Sequence, residues 1–249
     1  MDIKHAAKTL FSSKLFYILI IAVLATVVIL QAINSQPAIS NAERIVIDNF
    51  SDSIMPYIDE LDYEEEGRDP GYKTDLYIAF ALERKFGETN ETSMSVNDIV
   101  NFAEHTINHK LSAEELEQGV VSSRLMNKYI YYDPQEKTYN LDRQYVDKKL
   151  VSITPVVKYF EKSARKSNDD FIVTYEKYQF DTPYLILDCA AQNNISIPNF
   201  GEYIEGRASA AELKRAVTRD CANRSGKFQK ELTVTYSIKD DHTYIKDIK

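Results

Sequence analysis

The chain has no tryptophan, and glycine and proline number only seven each. So few breakers exclude a low-complexity or disordered chain and leave no phosphate-cradling glycine loop. Four histidines and two cysteines restrict the metal and redox chemistry on offer, and there is no CxxC pair to act as a redox catalyst. A GxSxG nucleophile elbow is also missing. Basic charge is in deficit: 30 Lys and Arg stand against 38 Asp and Glu, a formal net charge of -8. An acidic chain repels phosphate backbones, so nucleic acid is excluded as a partner.

One long stretch lacks charge altogether. Residues 15–42 carry no charged side chain, and their strongly apolar part, LFYILIIAVLATVVILQAI, opens on Leu15 and closes on Ile33. Nineteen helical residues would extend roughly 28 Å, about the hydrocarbon thickness of a bilayer. The expectation is one transmembrane helix over residues 15–36, anchoring the chain in the lipid bilayer. Lys4, Lys8 and Lys14 precede it against the single acid Asp2, whereas Glu43, Asp48 and Asp52 follow against Arg44. By the positive-inside rule, residues 1–14 form a cytoplasmic tail and the rest lies outside the membrane. The competing expectation is a signal peptide cleaved after Ala42, behind the small residues of Ser40-Asn41-Ala42. The apolar run exceeds a signal-peptide core of about 7–15 residues, so the retained anchor is the favoured reading.

Residues 37–73 read as an acidic juxtamembrane segment, with ten acids and three bases from 43 to 73. Within it Ile47, Phe50, Ile54, Tyr57 and Leu61 recur at heptad spacing, interrupted by Pro56. The pattern fits either a short stalk that forms a homodimer or an amphipathic helix packed on its own domain. Two heptads favour the second. The acidic run 59–69 lacks the alternating ligands and central glycine of a calcium loop and reads as a solvated linker.

Residues 74–166 read as a helical subdomain with a hairpin. A helix from Asp75 to Phe86 stops at Gly87. A second begins at Val96 behind Ser95, and a third runs from the capping box Ser112–Glu115 towards Tyr129. Two strands in YIYYDPQEKTYNL follow. Three helices and a hairpin resemble a winged-helix layout in topology alone. Nine bases against thirteen acids in residues 74–150 turn such a module towards protein rather than DNA. Residues 142–166 carry Val146, Leu150, Ile153, Val157, Phe160 and Ala164 at helical spacing, with Pro155 read as the first residue of a second helix. The basic end of this stretch, Lys158, Lys162, Arg165 and Lys166, is a candidate face for the acidic segment or an anionic partner.

Residues 167–249 read as an α+β subdomain with an antiparallel sheet: a strand in FIVTYEKYQF, a helix from Pro183, a helix from Ser209 carrying Leu213, Val217 and Cys221, and a closing hairpin. The fold class expected for the whole is therefore α+β.

Cys189 and Cys221 lie on neighbouring helices outside the membrane and are expected to form a disulfide. His105 and His109, at i and i+4, are weak candidates for a metal; Thr106 stands where a metalloprotease helix has glutamate, and His242 is far off in sequence. No cofactor is expected. The favoured function is a non-enzymatic, membrane-anchored extracytoplasmic protein that binds an envelope protein or a ligand. The alternative is a membrane-tethered hydrolase acting on cell-wall or peptide material, which requires acids or histidines converging in a cleft.

Overall fold

The computed structural model describes residues 39–62, 72–118, 122–125, 128–142, 148–239 and 242–249, together with Ile18, Ile21, Val23 and Leu24. Residues 1–14, the expected cytoplasmic tail, residues 63–71 of the acidic run and the remainder of the expected membrane span lie outside the described residues. Its four described residues are helical and exposed. No helix among the described residues is long and apolar enough to cross a membrane.

The architecture is α+β, with helices on two four-stranded antiparallel sheets. Helix α1 (Asn41–Ile54) begins at a capping box: the Glu43 N–H donates to Ser40 Oγ at 3.3 Å, and the Ser40 N–H donates back to Glu43 Oε2 at 2.9 Å. Pro56 ends the α-helical ladder and opens a 3₁₀ helix, Met55–Glu60, so the apolar seam continues at a changed pitch. Ile47, Ile54, Tyr57 and Ile58 are all buried against the chain's own sheet. The heptad seam is thus spent within the domain.

Helix α2 (Tyr72–Thr89) buries Leu76 and an unbroken Ile78–Leu82 run. It continues through Gly87, where it was expected to stop, and ends at Asn90, whose φ is 62°. Gly87 is required for another reason. A Cβ there would collide with the Tyr57 ring and hydroxyl, so the residue admits a close approach between the 3₁₀ helix and α2.

Strand β1 (Ser93–Ser95) leads into α3 (Val96–Ile107), capped by Ser95 as its sequence implies. Helix α4 spans only Ala113–Gln118, behind the expected Ser112/Glu115 box. The third helix does not reach Tyr129. Strand β2 (Ser122–Leu125) takes its place and opens on the last two residues of a Gly-Val-Val-Ser-Ser run of poor helix formers. Strands β3 (Lys128–Asp133) and β4 (Thr138–Asp142) complete the first sheet, ordered β1-β4-β3-β2.

The expected helices across 142–166 are largely replaced. Only α5 (Lys148–Ile153) is helical; Pro155 precedes β5 (Val156–Ser167), a twelve-residue strand. It pairs with β6 (Asp170–Phe180) through a two-residue turn in which Asn168 takes φ 55°. A bulge between Glu161 and Ser163 shifts the alternation midway. Val157 and Ala164 pack on the α1 face and Phe160 on the opposite one, so helix-like intervals arise from apolar residues on both faces of an extended strand. Helices α6 (Pro183–Gln192), α7 (Phe200–Ile204), α8 (Ala211–Ala216) and α9 (Arg219–Ser225) follow. The single helix expected from Ser209 is broken at Val217, and Thr218 caps the new one. Strands β7 (Lys227–Lys239) and β8 (His242–Ile248) finish a sheet ordered β5-β6-β7-β8. One face, bearing Val173, Tyr175, Val234 and Tyr236, takes α1. The β5 end of the other face packs on α6, α8 and α9.

Candidate functional site

The acidic segment folds onto basic groups of the second sheet and of α8. Lys166 Nζ lies 2.6 Å from Glu43 Oε1, which, with the Ser40 N–H and hydroxyl, holds the Glu43 carboxyl down at about 2. Arg44 pairs with Asp48 and, at 2.5 Å, with Glu161. Further on, Asp62 accepts from the Tyr159 hydroxyl at 2.8 Å and pairs with Lys177 and Lys230. Burial, then Asp59 and Asp62, raise the Tyr159 phenol far above its ordinary range. Of the basic residues singled out in sequence, Lys166 meets the acidic segment, while Lys162 bonds to Glu231 on β7.

The 3₁₀ helix separates two concave features. The first is a cavity of about 120 Å³ against α5, α7 and α8, with Val156, Tyr203 and Ala211 in its wall. Asp59, Glu60 and Glu83 converge on it. Glu60 is 2% exposed and Glu83 5%. All three carboxylates have partners within the fold. Asp59 is tied at 2.5 Å to Lys214, whose ammonium also donates to the Pro56 carbonyl at 2.8 Å.

The second feature is a groove of about 600 Å³ between α1 and the outer edge of β5. Five consecutive β5 residues, 157–161, form one wall, and Asp48, Ser51 and Asp52 of α1 face them. In its lining the hydroxyls of Ser51 and Tyr175 lie 2.7 Å apart, and the Tyr175 hydroxyl is 2.9 Å from that of the fully buried Tyr236 behind it. Burial raises both tyrosines, Tyr236 to about 12. Lys158, Lys214 and Arg215 share the lining. Burial, with the charges of Lys214 and Arg215, depresses the Lys158 ammonium, and Asp52 opposes the shift.

Cys189 of α6 and Cys221 of α9 sit at disulfide distance, with Cα atoms 5.7 Å apart. The histidine pair is divided. His105 lies on α3, its Nδ1–H on the Asn101 carbonyl at 2.7 Å, whereas His109 follows the helix end at Asn108 and stacks on Tyr77. Their i,i+4 spacing therefore does not become a shared helical face. His105 instead meets the ring of His242, 5.7 Å away on β8, which the sequence had left distant. Among the described residues no cluster of three or more His, Cys, Asp or Glu side chains could hold a metal.

Glu60, Glu83 and Lys214 were not singled out from the sequence. Glu83 had a readable signal, since it terminates the apolar run DLYIAFAL. Lys214 had none, because its burial follows from the α8 break at Val217. Comparison with protein-family models, curated proteins and solved structures finds no match to this chain.

Proposed function

We propose that this chain is a single-pass membrane protein whose folded part lies outside the cytoplasm and binds a protein of the envelope through the groove between α1 and β5. The observation that carries the reading is the groove itself: an open strand edge, a hydroxyl chain and unevenly placed cations meet in one cleft. The charge-free run 15–33 and its basic flank support the anchor, and the four described residues of that run expose apolar side chains. The Ser40 cap supports a retained anchor, because cleavage after Ala42 would remove the residue on which α1 begins. The Cys189–Cys221 pairing suits an oxidising compartment.

Residues 72–142 support a winged-helix-like module used for protein contact. Helix, strand, two helices and a hairpin follow in that order, with β1 beside β4 and β4 beside β3. Strand β2 is an addition, and α4 bears Glu114, Glu115 and Glu117, which suit no DNA groove.

The hydrolase reading draws on one observation, the convergence of Glu60 and Glu83 on a cavity. Their engagement inside the fold weighs against proton transfer to a substrate. A photo-reactive residue at position 48, compared with one at Thr235, separates the two readings in the intact protein in its native membrane. The binding reading expects a discrete protein adduct from position 48 alone. It is overturned if neither position yields one, or if the purified protein cleaves peptide or glycan and E60Q or E83Q abolishes the cleavage.

A further inference from the structure

We infer that the groove receives an extended peptide as a fifth strand, antiparallel to β5, with its C-terminal carboxylate at the Lys158–Lys214–Arg215 end. The inference rests on the binding function proposed above and specifies the chemistry of the partner.

The backbone supplies the first argument. Strand β5 is terminal in the sheet, with β6 on its other side. The two-residue turn makes Ser167 and Asp170 a hydrogen-bonded pair, and the alternation carried along β6 makes Phe160–Glu176 and Lys158–Tyr178 such pairs too. The N–H and C=O groups of Val157, Tyr159 and Glu161 therefore point away from β6, into the groove. The Glu161 carbonyl is already engaged, accepting from the Arg219 guanidinium at 2.8 Å. Val157 and Tyr159 are left with two donors and two acceptors at strand spacing, a pattern complementary to another extended backbone.

Charge supplies the second argument, and it sets direction. At the Glu161 end the groove is occupied by the Arg44–Glu161 pair. At the Val157 end it is closed where Lys214 bonds to the Pro56 carbonyl. Cations gather at that closed end: Lys158 is close enough to Lys214 and Arg215 to be depressed by both, with Asp52 the acid opposing them. Asp59 already neutralises Lys214. Lys158 and Arg215 remain in the lining of that end, with Asp52 acting on Lys158, and a carboxylate there would offset the remaining positive charge. Every pairing in this sheet is antiparallel. An added antiparallel strand runs from the Glu161 end towards Val157 and delivers its C-terminus to the cations. A parallel strand would bring its ammonium there instead. The open edge spans about 13 Å, enough for about four residues of the partner.

The test uses the full-length protein in lipid nanodiscs. The probes are two pools of fluorescein-labelled heptapeptides with Val, Ile or Thr at alternate positions, one ending in a free carboxylate and the other in an amide. The free-acid pool is expected to bind saturably, and the amide pool about tenfold more weakly. K158E should weaken the free-acid pool by a similar factor. V157P removes one outward N–H from an edge strand, where proline is tolerated, and should abolish binding. Should V157P fold poorly, slowed amide exchange at Tyr159 on adding the free-acid pool reads the same contact in the unaltered chain. Equal binding of acid and amide pools overturns the inference. So does binding indifferent to V157P, competition by acetate as effective as by peptide, or a V157P-sensitive dimer that excludes the peptides. Failure here alongside a groove-specific adduct from position 48 would overturn strand addition and leave the binding function standing.

Discussion

Tyr159 and Asp62 are joined by a 2.8 Å hydrogen bond that ties the last described residue of the acidic run 59–69 to the edge strand. The Asp62 side chain is only 3% exposed, and its two oxygens also serve Lys177 at 2.5 Å and Lys230 at 3.0 Å. Removing the carboxylate would leave two ammoniums without their counter-charge. D62N is therefore expected to lower unfolding free energy by about 2–4 kcal/mol, measured by urea titration. Y159F, which loses one neutral donor, should lose about 1 kcal/mol. Equal losses would contradict the charge argument.

Glu43 provides a pH test. Its carboxyl is held near 2 by Lys166 and the Ser40 cap, below the ordinary value of the unfolded chain. A depressed folded value contributes stability above the unfolded value, and that contribution is lost as pH falls towards 2. Fraying of the first turn of α1 should begin below about pH 4 and approach completion near pH 2, followed by NMR of the Ser40 and Glu43 amides. In K166M the Glu43 titration should move up towards the ordinary carboxylate range.

Alkaline pH tests the other core. Burial and Asp75 push Tyr139 to about 12, and its hydroxyl donates to the Leu116 carbonyl at 2.9 Å. Here the folded value is raised, so its stability is present below pH 10 and disappears as pH rises towards 12. The total is about 2–3 kcal/mol. Tyrosinate absorbance should rise together with the loss of near-ultraviolet circular dichroism. Y139F should flatten the pH dependence while lowering stability at neutral pH.

The Cys189–Cys221 link closes a loop of 32 positions. Replacing both with alanine should lower stability by about 3–4 kcal/mol on the chain-entropy argument. Mass spectrometry of the membrane-bound protein without reductant should show the two peptides joined. Reduced thiols there would contradict the extracytoplasmic reading.

Gly87 is predicted to be more sensitive than a helix-interior glycine facing solvent. G87A gains helix propensity of about 1 kcal/mol, yet its methyl meets the Tyr57 ring. A net loss of about 1–3 kcal/mol is expected in thermal unfolding. The double variant G87A/Y57A should show that the two effects are not additive.

The local signals that proved readable were those decided by adjacent residues. The Ser95 and Ser112 caps, the hairpin around Pro134 and the alternation of Leu232, Val234 and Tyr236 depend on chemistry a few residues wide. What failed depended on partners far along the chain. Strand β5 reads as a helix because apolar residues lie on both of its faces, Val157 and Ala164 on one and Phe160 on the other, and only the two cores packed against it reveal this. His105 and His242 come together through α3 packing beside β8, across 137 positions. The groove was illegible for the same reason: its walls are a helix from one end of the domain and a strand from its middle. Only the clustering of Lys158, Lys162, Arg165 and Lys166 hinted that acids would dock there.

The capping of α1 at Ser40 has a consequence for reach. Because α1 begins at Ser40 and Glu43, Asp59 and Asp62 are tied into the fold, the length between Ile33 and Ser40 is six residues, 34–39. Fully stretched they extend about 20 Å at most. If residues 15–33 cross a bilayer, the domain rides close to the headgroups. It would then meet partners within a thin shell above the surface, and diffusion in the plane of the membrane would do most of the searching.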